Sequence, residues 1–133
     1  MNVGPTGRGE FDARALDRLA GIGAWMKRHG RSIYGCTQAP EGFAAPADCR
    51  LTYNADARRM YVHLLAWPFG YLHLDGFAGK VEYAQLLNDA SEVKMEGRPA
   101  WQAPVEANRD TLSLRLPVQK PDVTVPVIEL FMK

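Results

Sequence analysis

Residues 111–117 read TLSLRLP, and this short segment shows the predicted fold most clearly. Its leucines alternate with two polar residues: Leu112, Leu114 and Leu116 against Ser113 and Arg115. Because successive side chains of a β-strand point to opposite faces, alternation of this kind indicates a strand buried on one side only. We therefore predict that the three leucines face a hydrophobic core and that Ser113 and Arg115 face water.

Similar short apolar segments lie on both sides of this strand. They read RLTYN (50–54), RMYVHLLAW (59–67), GYLHLDG (70–76), KVEYAQLL (80–87), EVKME (92–96) and VIELFMK (127–133). Turn signals separate them, including a hairpin turn at 54–59, and Pro126 marks the start of the last strand or an edge position. The spacing predicts a mainly β protein, an antiparallel β-sandwich of about seven to eight strands.

One segment near the start has a helical period instead. A helix is predicted from Asp12 to His29, with the Asp12 carboxylate accepting from free backbone N–H groups of the first turn. The last turn contains Lys27, Arg28 and His29, interpreted as cations that suit the helix dipole, and Gly30 fits the left-handed position that ends many helices. One apolar stripe runs along this helix, formed by Leu16, Leu19, Ile22 and Met26.

Composition excludes several classes of function. The 133 residues suit a single domain, and 16 basic against 15 acidic residues give a net charge of +1. Nucleic-acid and anionic-membrane binders need a basic excess, so neither partner is expected. No apolar run is long enough to span a membrane. The location is left open, with a periplasmic or secreted parent as the candidate.

The first residues contain an unusual loop. Residues 2–12 read NVGPTGRGEFD, with three glycines and one proline, and the segment RLAGIGAWMKRHGRSIYG (18–35) follows. Together they resemble the end of the catalytic barrel in bacterial α-L-fucosidases. The later segments CRLTYN (49–54), RMYVHLLAWP (59–68), LHLDGFAGKVEYAQLLNDASEV (72–93) and VPVIEL (125–130) resemble the β-sandwich that follows this barrel. The resemblance covers nearly the whole chain.

The resemblance implies a division of the chain. Residues 1–30 would be the remnant of the last barrel loop and helix, and residues 31–133 the C-terminal β-sandwich domain. A complete (β/α)₈ barrel needs about 250 residues, so the resemblance implies that the rest of the barrel precedes this segment in a parent chain. That barrel would be the partner of the sandwich, and the parent would hydrolyse terminal L-fucose from glycans with retention.

No catalytic residue is assigned to this chain. Retaining glycosidases use two carboxyl groups about 5–5.5 Å apart. In the family the nucleophile is an aspartate on a barrel strand, and no residue here matches its motif. We expect the chain alone to be inactive. The resemblance places the loop Asn2, Val3, Gly4 and Pro5 at the rim of the sugar pocket in the parent; alternatively, Gly4 and Pro5 only turn the chain into the helix.

Three further kinds of site were considered. The histidines and cysteines lack the close spacing of metal ligands, so no metal and no cofactor is expected. A disulfide between Cys36 and Cys49 would close the loop between them, but two separate buried thiols are slightly favoured. Trp67 and Tyr71, with Phe77 and Trp101, would suit sugar stacking if exposed, although sandwich aromatics are more often core residues.

Three functions therefore compete. The first is a non-catalytic sandwich domain that supports the barrel of an α-L-fucosidase. The second is a carbohydrate-binding module with its own affinity for fucosylated glycans. The third, an unrelated interaction sandwich, is disfavoured by the front loop and helix. If the stripe of the helix lacks a barrel to cover it, we expect the chain to form a homodimer through this helix.

Overall fold

The computed structural model describes residues 3–96 and 110–133. Within these ranges the chain forms one α-helix, a short 3₁₀ helix and seven strands, which confirms the predicted mainly β class with one N-terminal helix. The elements are α1 (Ala13–His29), a 3₁₀ helix (Gly30–Ser32), β1 (Cys49–Asn54), β2 (Arg59–Leu64), β3 (Tyr71–Asp75), β4 (Val81–Leu86), β5 (Lys94–Glu96), β6 (Thr111–Arg115) and β7 (Val127–Met132).

The strands form two antiparallel sheets. Sheet A has the order β1-β2-β7-β4 and sheet B the order β3-β6-β5. The predicted hairpin joins β1 to β2, with Asn54 opposite Arg59. The main hydrophobic core contains apolar side chains from both sheets, including Met60, Val62, Leu64, Leu72, Leu74, Leu114, Ile128 and Leu130. Phe77, which follows β3, is also fully buried in this core.

Sheet A is also covered on its other face. There Tyr61, Leu87 and Val127 form a second small cluster, against which Trp25 of α1 and Cys36 pack. The helix therefore meets the sandwich through its C-terminal end. Burial on both faces explains why β2 reads as a nearly continuous apolar segment.

The helix begins as predicted but ends differently. Asp12 accepts a hydrogen bond from the backbone N–H of Ala15 at 2.8 Å, as an N-cap should. The prediction that Gly30 adopts a left-handed conformation is wrong, since its φ of −56° is right-handed and the residue begins the 3₁₀ helix. A Cβ at Gly30 would lie 3.2 Å from the Tyr34 ring, so close packing explains the glycine. The left-handed turn comes later, at Gly35 with φ 71°.

The predicted exposure of Ser113 is wrong. Leu114 and Leu116 are buried and Arg115 is exposed, as predicted, but Ser113 is 0% exposed. Its cross-strand neighbours are His73 on β3 and Glu96 on β5, both with longer side chains. The Ser113 hydroxyl lies 2.8 Å from Nδ1 of His73, so Ser113 is covered by its neighbours and hydrogen-bonded, whereas Arg115 on the same face is exposed.

The two cysteines are free thiols, so the disulfide considered between them is not formed. Cys49 belongs to the main core between the sheets, whereas Cys36 packs against the small cluster on the opposite face of sheet A. A bridge would have to pass through the sheet. Burial raises the pKa of both thiols, which keeps them protonated at neutral pH.

Candidate functional site: the junction between the helix and the sandwich

A buried carboxylate ties the segment after α1 to sheet A. Glu129 of β7 accepts from the Arg31 guanidinium at 2.7 Å and from the Gln85 amide at 2.6 Å through Oε2. Its Oε1 accepts from the Tyr61 hydroxyl at 3.3 Å, and Nε of Arg59 lies 3.9 Å away. The Glu129 side chain is 4% exposed, so its charge is stabilised by these three hydrogen bonds and the Arg59 cation, and little by water.

The Tyr61 hydroxyl is held in its neutral, donating form. Burial raises the pKa of Tyr61 to about 12, and the nearby Glu129 carboxylate adds to this effect. A phenol beside a buried carboxylate would create a second negative charge if it ionised. Both oxygens of Glu129 therefore contact groups on other elements, and the network ties these elements together.

A second polar network connects the end of α1 to β1 and β2. The His29 ring donates through Nδ1 to the Trp25 carbonyl at 3.0 Å and stacks on the Trp25 ring with centroids 4.7 Å apart. Ser32 donates to the His29 carbonyl at 2.6 Å. Thr52 in turn donates to the Ser32 carbonyl at 2.6 Å and lies 3.0 Å from Nε2 of His63.

The rest of α1 has an exposed apolar face. Leu16 and Ile22 are exposed, Leu19 and Met26 are half-buried, and Phe11 just before the helix is exposed as well. We call these five residues the open helix face. The predicted stripe is therefore present, and its own sandwich leaves two of its four members exposed.

Two grooves adjoin the open helix face. The first has a volume of about 310 Å³ and lies between α1 and the segment before β7, lined by Gly21, Ile22, Trp25, His63, Thr124 and Val125. The second has a similar volume and lies where the front loop folds along the helix, lined by Val3, Gly4, Asp12, Ala15, Arg18, Leu19 and Ile22. The first groove is mostly apolar, whereas the second also has Asp12 and Arg18 in its lining.

The front loop closes on itself before the helix. The backbone N–H of Thr6 donates to the Glu10 carbonyl at 2.6 Å, and that of Gly9 to the Thr6 carbonyl at 2.9 Å. Val3 is half-buried, whereas Gly4 and Pro5 are exposed. Asn2 lies outside the described residues, so the four predicted rim residues are only partly placed.

The aromatic residues considered for sugar stacking are partly committed to the sandwich. Trp67 is half-buried against the main core and donates to the Pro117 carbonyl at 3.0 Å. Tyr71 is half-buried, donates to Glu96 at 3.3 Å and lies parallel to the His73 ring. The exposed aromatic of this region is Phe69, which is 88% exposed. Trp101 lies outside the described residues.

Neither a metal-binding cluster nor a membrane-spanning helix is found within residues 3–96 and 110–133. In these ranges no cluster of three or more His, Cys, Asp or Glu side chains could hold a metal ion. The single α-helix described there lacks the length and apolar character needed to cross a bilayer.

Comparison with solved structures identifies what the whole chain is similar to. An α-L-fucosidase from Paenibacillus thiaminolyticus superposes with a TM-score of 0.82 at 36% identity, covering 99% of this chain and 30% of that enzyme. A family GH29 α-L-fucosidase from Bacteroides thetaiotaomicron has a TM-score of 0.77 at 25% identity, covering 99% of this chain and 27% of that one. The α-fucosidase of Thermotoga maritima shares the fold at 21% identity and a TM-score of 0.71.

These enzymes are much longer than this chain, which spans about 30% of their length. No protein-family model matches the chain, and no curated protein does. The similarity nevertheless extends over nearly every residue from the front loop to the last strand. The chain therefore has the extent and fold of a fragment of an α-L-fucosidase, as the sequence motifs predicted.

Proposed function

We propose that this chain is the non-catalytic C-terminal part of an α-L-fucosidase whose missing barrel hydrolyses terminal L-fucose from glycans with retention. The observation that carries the proposal is the 36% identity with the Paenibacillus enzyme over 99% of this chain. In this proposal residues 1–30 complete the barrel, residues 31–133 form the sandwich domain, and the loop 2–5 lies at the rim of the sugar pocket.

The open helix face supports the proposal. Burying a side chain such as Leu16 or Ile22 stabilises the folded state by roughly 1.5–3 kcal/mol. If several such side chains stay exposed to water, the stabilisation that is lost is a large part of a domain's stability. A barrel packed on this face would recover that free energy. Because the other end of α1 packs on sheet A, the helix would connect the two domains rigidly.

A graft into the Paenibacillus enzyme tests the proposal. This chain would replace the matching 30% of that enzyme, and the chimera should hydrolyse a chromogenic L-fucoside, whereas the chain alone should not. A second chimera carrying Leu16→Asp and Ile22→Asp should lose activity or solubility, because the charges would face the barrel. Lys27→Asp, at an exposed position of the same helix, is the matched control and should stay active.

If the chimera with the unmutated chain is soluble but inactive, or if all three chimeras are equally active, the proposal is contradicted. Turnover by the chain alone, lost on mutating one of its own carboxylates, would contradict the non-catalytic role. Titration of the chain with fucosylated oligosaccharides examines the alternative of a carbohydrate-binding module, in which Phe69→Ala should abolish binding. Sedimentation shows whether the chain by itself covers the open helix face by forming a homodimer.

A further inference from the structure

His29 and His63 lie in one continuous network at the end of α1. His29 is 1% exposed and His63 is buried as well. The Trp25 ring lies near both, with its centroid 4.7 Å from that of His29 and 6.3 Å from that of His63. The indole also donates to the Val125 carbonyl at 3.2 Å, which attaches the helix to the segment before β7. Both imidazoles are therefore part of the contact that holds the helix on the sandwich.

The hydrogen bonds require a neutral His29. Its Nδ1 faces the Trp25 carbonyl, which can only accept, so the proton of the neutral ring is on Nδ1. Its Nε2 is buried, and no residue of the described parts of the chain lies within hydrogen-bonding range of it. A second proton on this ring would create a buried donor without an acceptor, together with a buried charge.

The hydrogen bond with Thr52 holds His63 in one tautomer. The single proton of the Thr52 hydroxyl goes to the Ser32 carbonyl, so Nε2–H of His63 donates to Thr52. Burial and the neighbouring His29 lower the pKa of His63, although a hydrogen bond to the Ser32 backbone opposes this. Burial and the adjacent Arg28 lower the pKa of His29, against the hydrogen bond to Trp25.

The charged groups on the surrounding elements would do little to stabilise a protonated His29 or His63. The cationic groups are Arg28 on α1, Arg31 on the 3₁₀ helix, Arg50 opposite His63 on β1, and Arg59 on β2. The acidic groups are Glu129 on β7, already paired with Arg31, and Asp122, an exposed residue that lines a third groove together with Arg28 and His29. Tyr61 and Cys36, the other ionisable groups here, are neutral at pH 7.

We propose that His29 and His63 form an acid-sensitive latch, which holds α1 on the sandwich at neutral pH and releases it in mild acid. The latch is independent of whether the parent is a fucosidase, since it is built from contacts within this chain.

The direction in which docking of α1 depends on pH follows from proton linkage. Both folded-state pKa values lie below 6.5, so the docked state binds fewer protons than the released state. Docking is therefore fully stable above pH 6.5 and weakens as the pH falls from 6.5 towards the folded-state values. Each histidine raises the opening equilibrium constant by up to about tenfold per pH unit in this window, and both together by up to about a hundredfold.

Amide hydrogen exchange of the 133-residue chain at pH 7.5, 6.5 and 5.5 tests the latch, with rates corrected for intrinsic exchange. Between pH 6.5 and 5.5 the amides of α1 should lose protection relative to those of β7, by up to about thirtyfold if both histidines stay neutral in the docked state. The double variant His29→Phe, His63→Gln should remove this loss: phenylalanine keeps a ring on Trp25, and glutamine keeps a donor for Thr52. His73→Gln, in sheet B, is the matched control and should retain the wild-type response.

Equal protection of α1 at all three pH values would overturn the latch, as would a pH response that persists in the double variant. If the double variant does not fold, NMR titration of the wild-type histidine rings decides. Midpoints below 6.5 for both His29 and His63 support the latch, and a midpoint at or above 6.5 for either overturns it.

Discussion

Replacing Arg31 by Met is expected to destabilise the protein more than its surface position suggests. The Arg31 side chain is 57% exposed, but the Glu129 side chain that it binds at 2.7 Å is 4% exposed. Removing the arginine leaves a buried carboxylate. Breaking a buried pair from one side costs about 3–5 kcal/mol. Gln85 at 2.6 Å and Arg59 at 3.9 Å still stabilise the charge, so about 2–3 kcal/mol is expected here.

Removing the other partner should cost less. In Glu129→Gln the arginine regains water easily because it is already largely exposed, and the amide still contacts Gln85. The loss is then mainly that of charge-assisted hydrogen bonds, about 1–2 kcal/mol. The double variant should cost less than the sum of the single variants by about 1–2 kcal/mol, because the arginine has no charge to compensate once Glu129 is gone.

Urea denaturation at pH 7.5, followed by far-UV circular dichroism, gives the free energies of unfolding for this cycle. Arg115→Met is the matched control, since Arg115 pairs with Glu96 at 3.6 Å and both side chains are accessible to water. That change should cost no more than about 1 kcal/mol. The reasoning is refuted if Arg31→Met costs no more than the control, or if the two changes at the Arg31–Glu129 pair are additive.

Two further predictions concern sheet B and one of its turns, and the same denaturation experiment checks them. Leu114→Ala should cost about 2–5 kcal/mol through lost transfer free energy and a cavity, whereas Ser113→Ala should cost about 1–2 kcal/mol because its hydrogen bond with His73 is buried; a loss under about 0.5 kcal/mol for Ser113→Ala would mean that the site behaves as surface. Gly76→Ala should cost more than about 2 kcal/mol, since Gly76 has φ +86° and a Cβ would overlap the Gly42 carbonyl oxygen, and an unchanged stability would rule out that contact.

The sequence alone determined the features that depend on neighbouring residues. The start of α1 followed from Asp12 and the helical period, because capping involves residues three apart. The hairpin between β1 and β2 and the sandwich class followed from alternation and turn residues. The motif around Asn2 to Pro5 and the sandwich segments also indicated the family to which the chain is similar.

The candidate site was less accessible to sequence reasoning. Glu129 lies in a strand whose pattern carries no signal of a buried ion pair, and its partner Arg31 is 98 positions away. His29 was interpreted as a cation of the last helical turn, whereas it is buried beside Trp25. In both cases the burial comes from another element packing on the residue, and a periodic pattern does not identify that element.

Tertiary structure decided what covers each face. Alternation places Ser113 opposite the leucines, but His73 and Glu96 on the flanking strands bury this one residue of the second face. Likewise Cys36 and Cys49 bracket one loop, yet sheet A separates their thiols. A strand's period fixes only which side chains share a face, because that depends on backbone geometry alone. Whether the face meets water, a core or a charge depends on contacts between residues far apart in the chain.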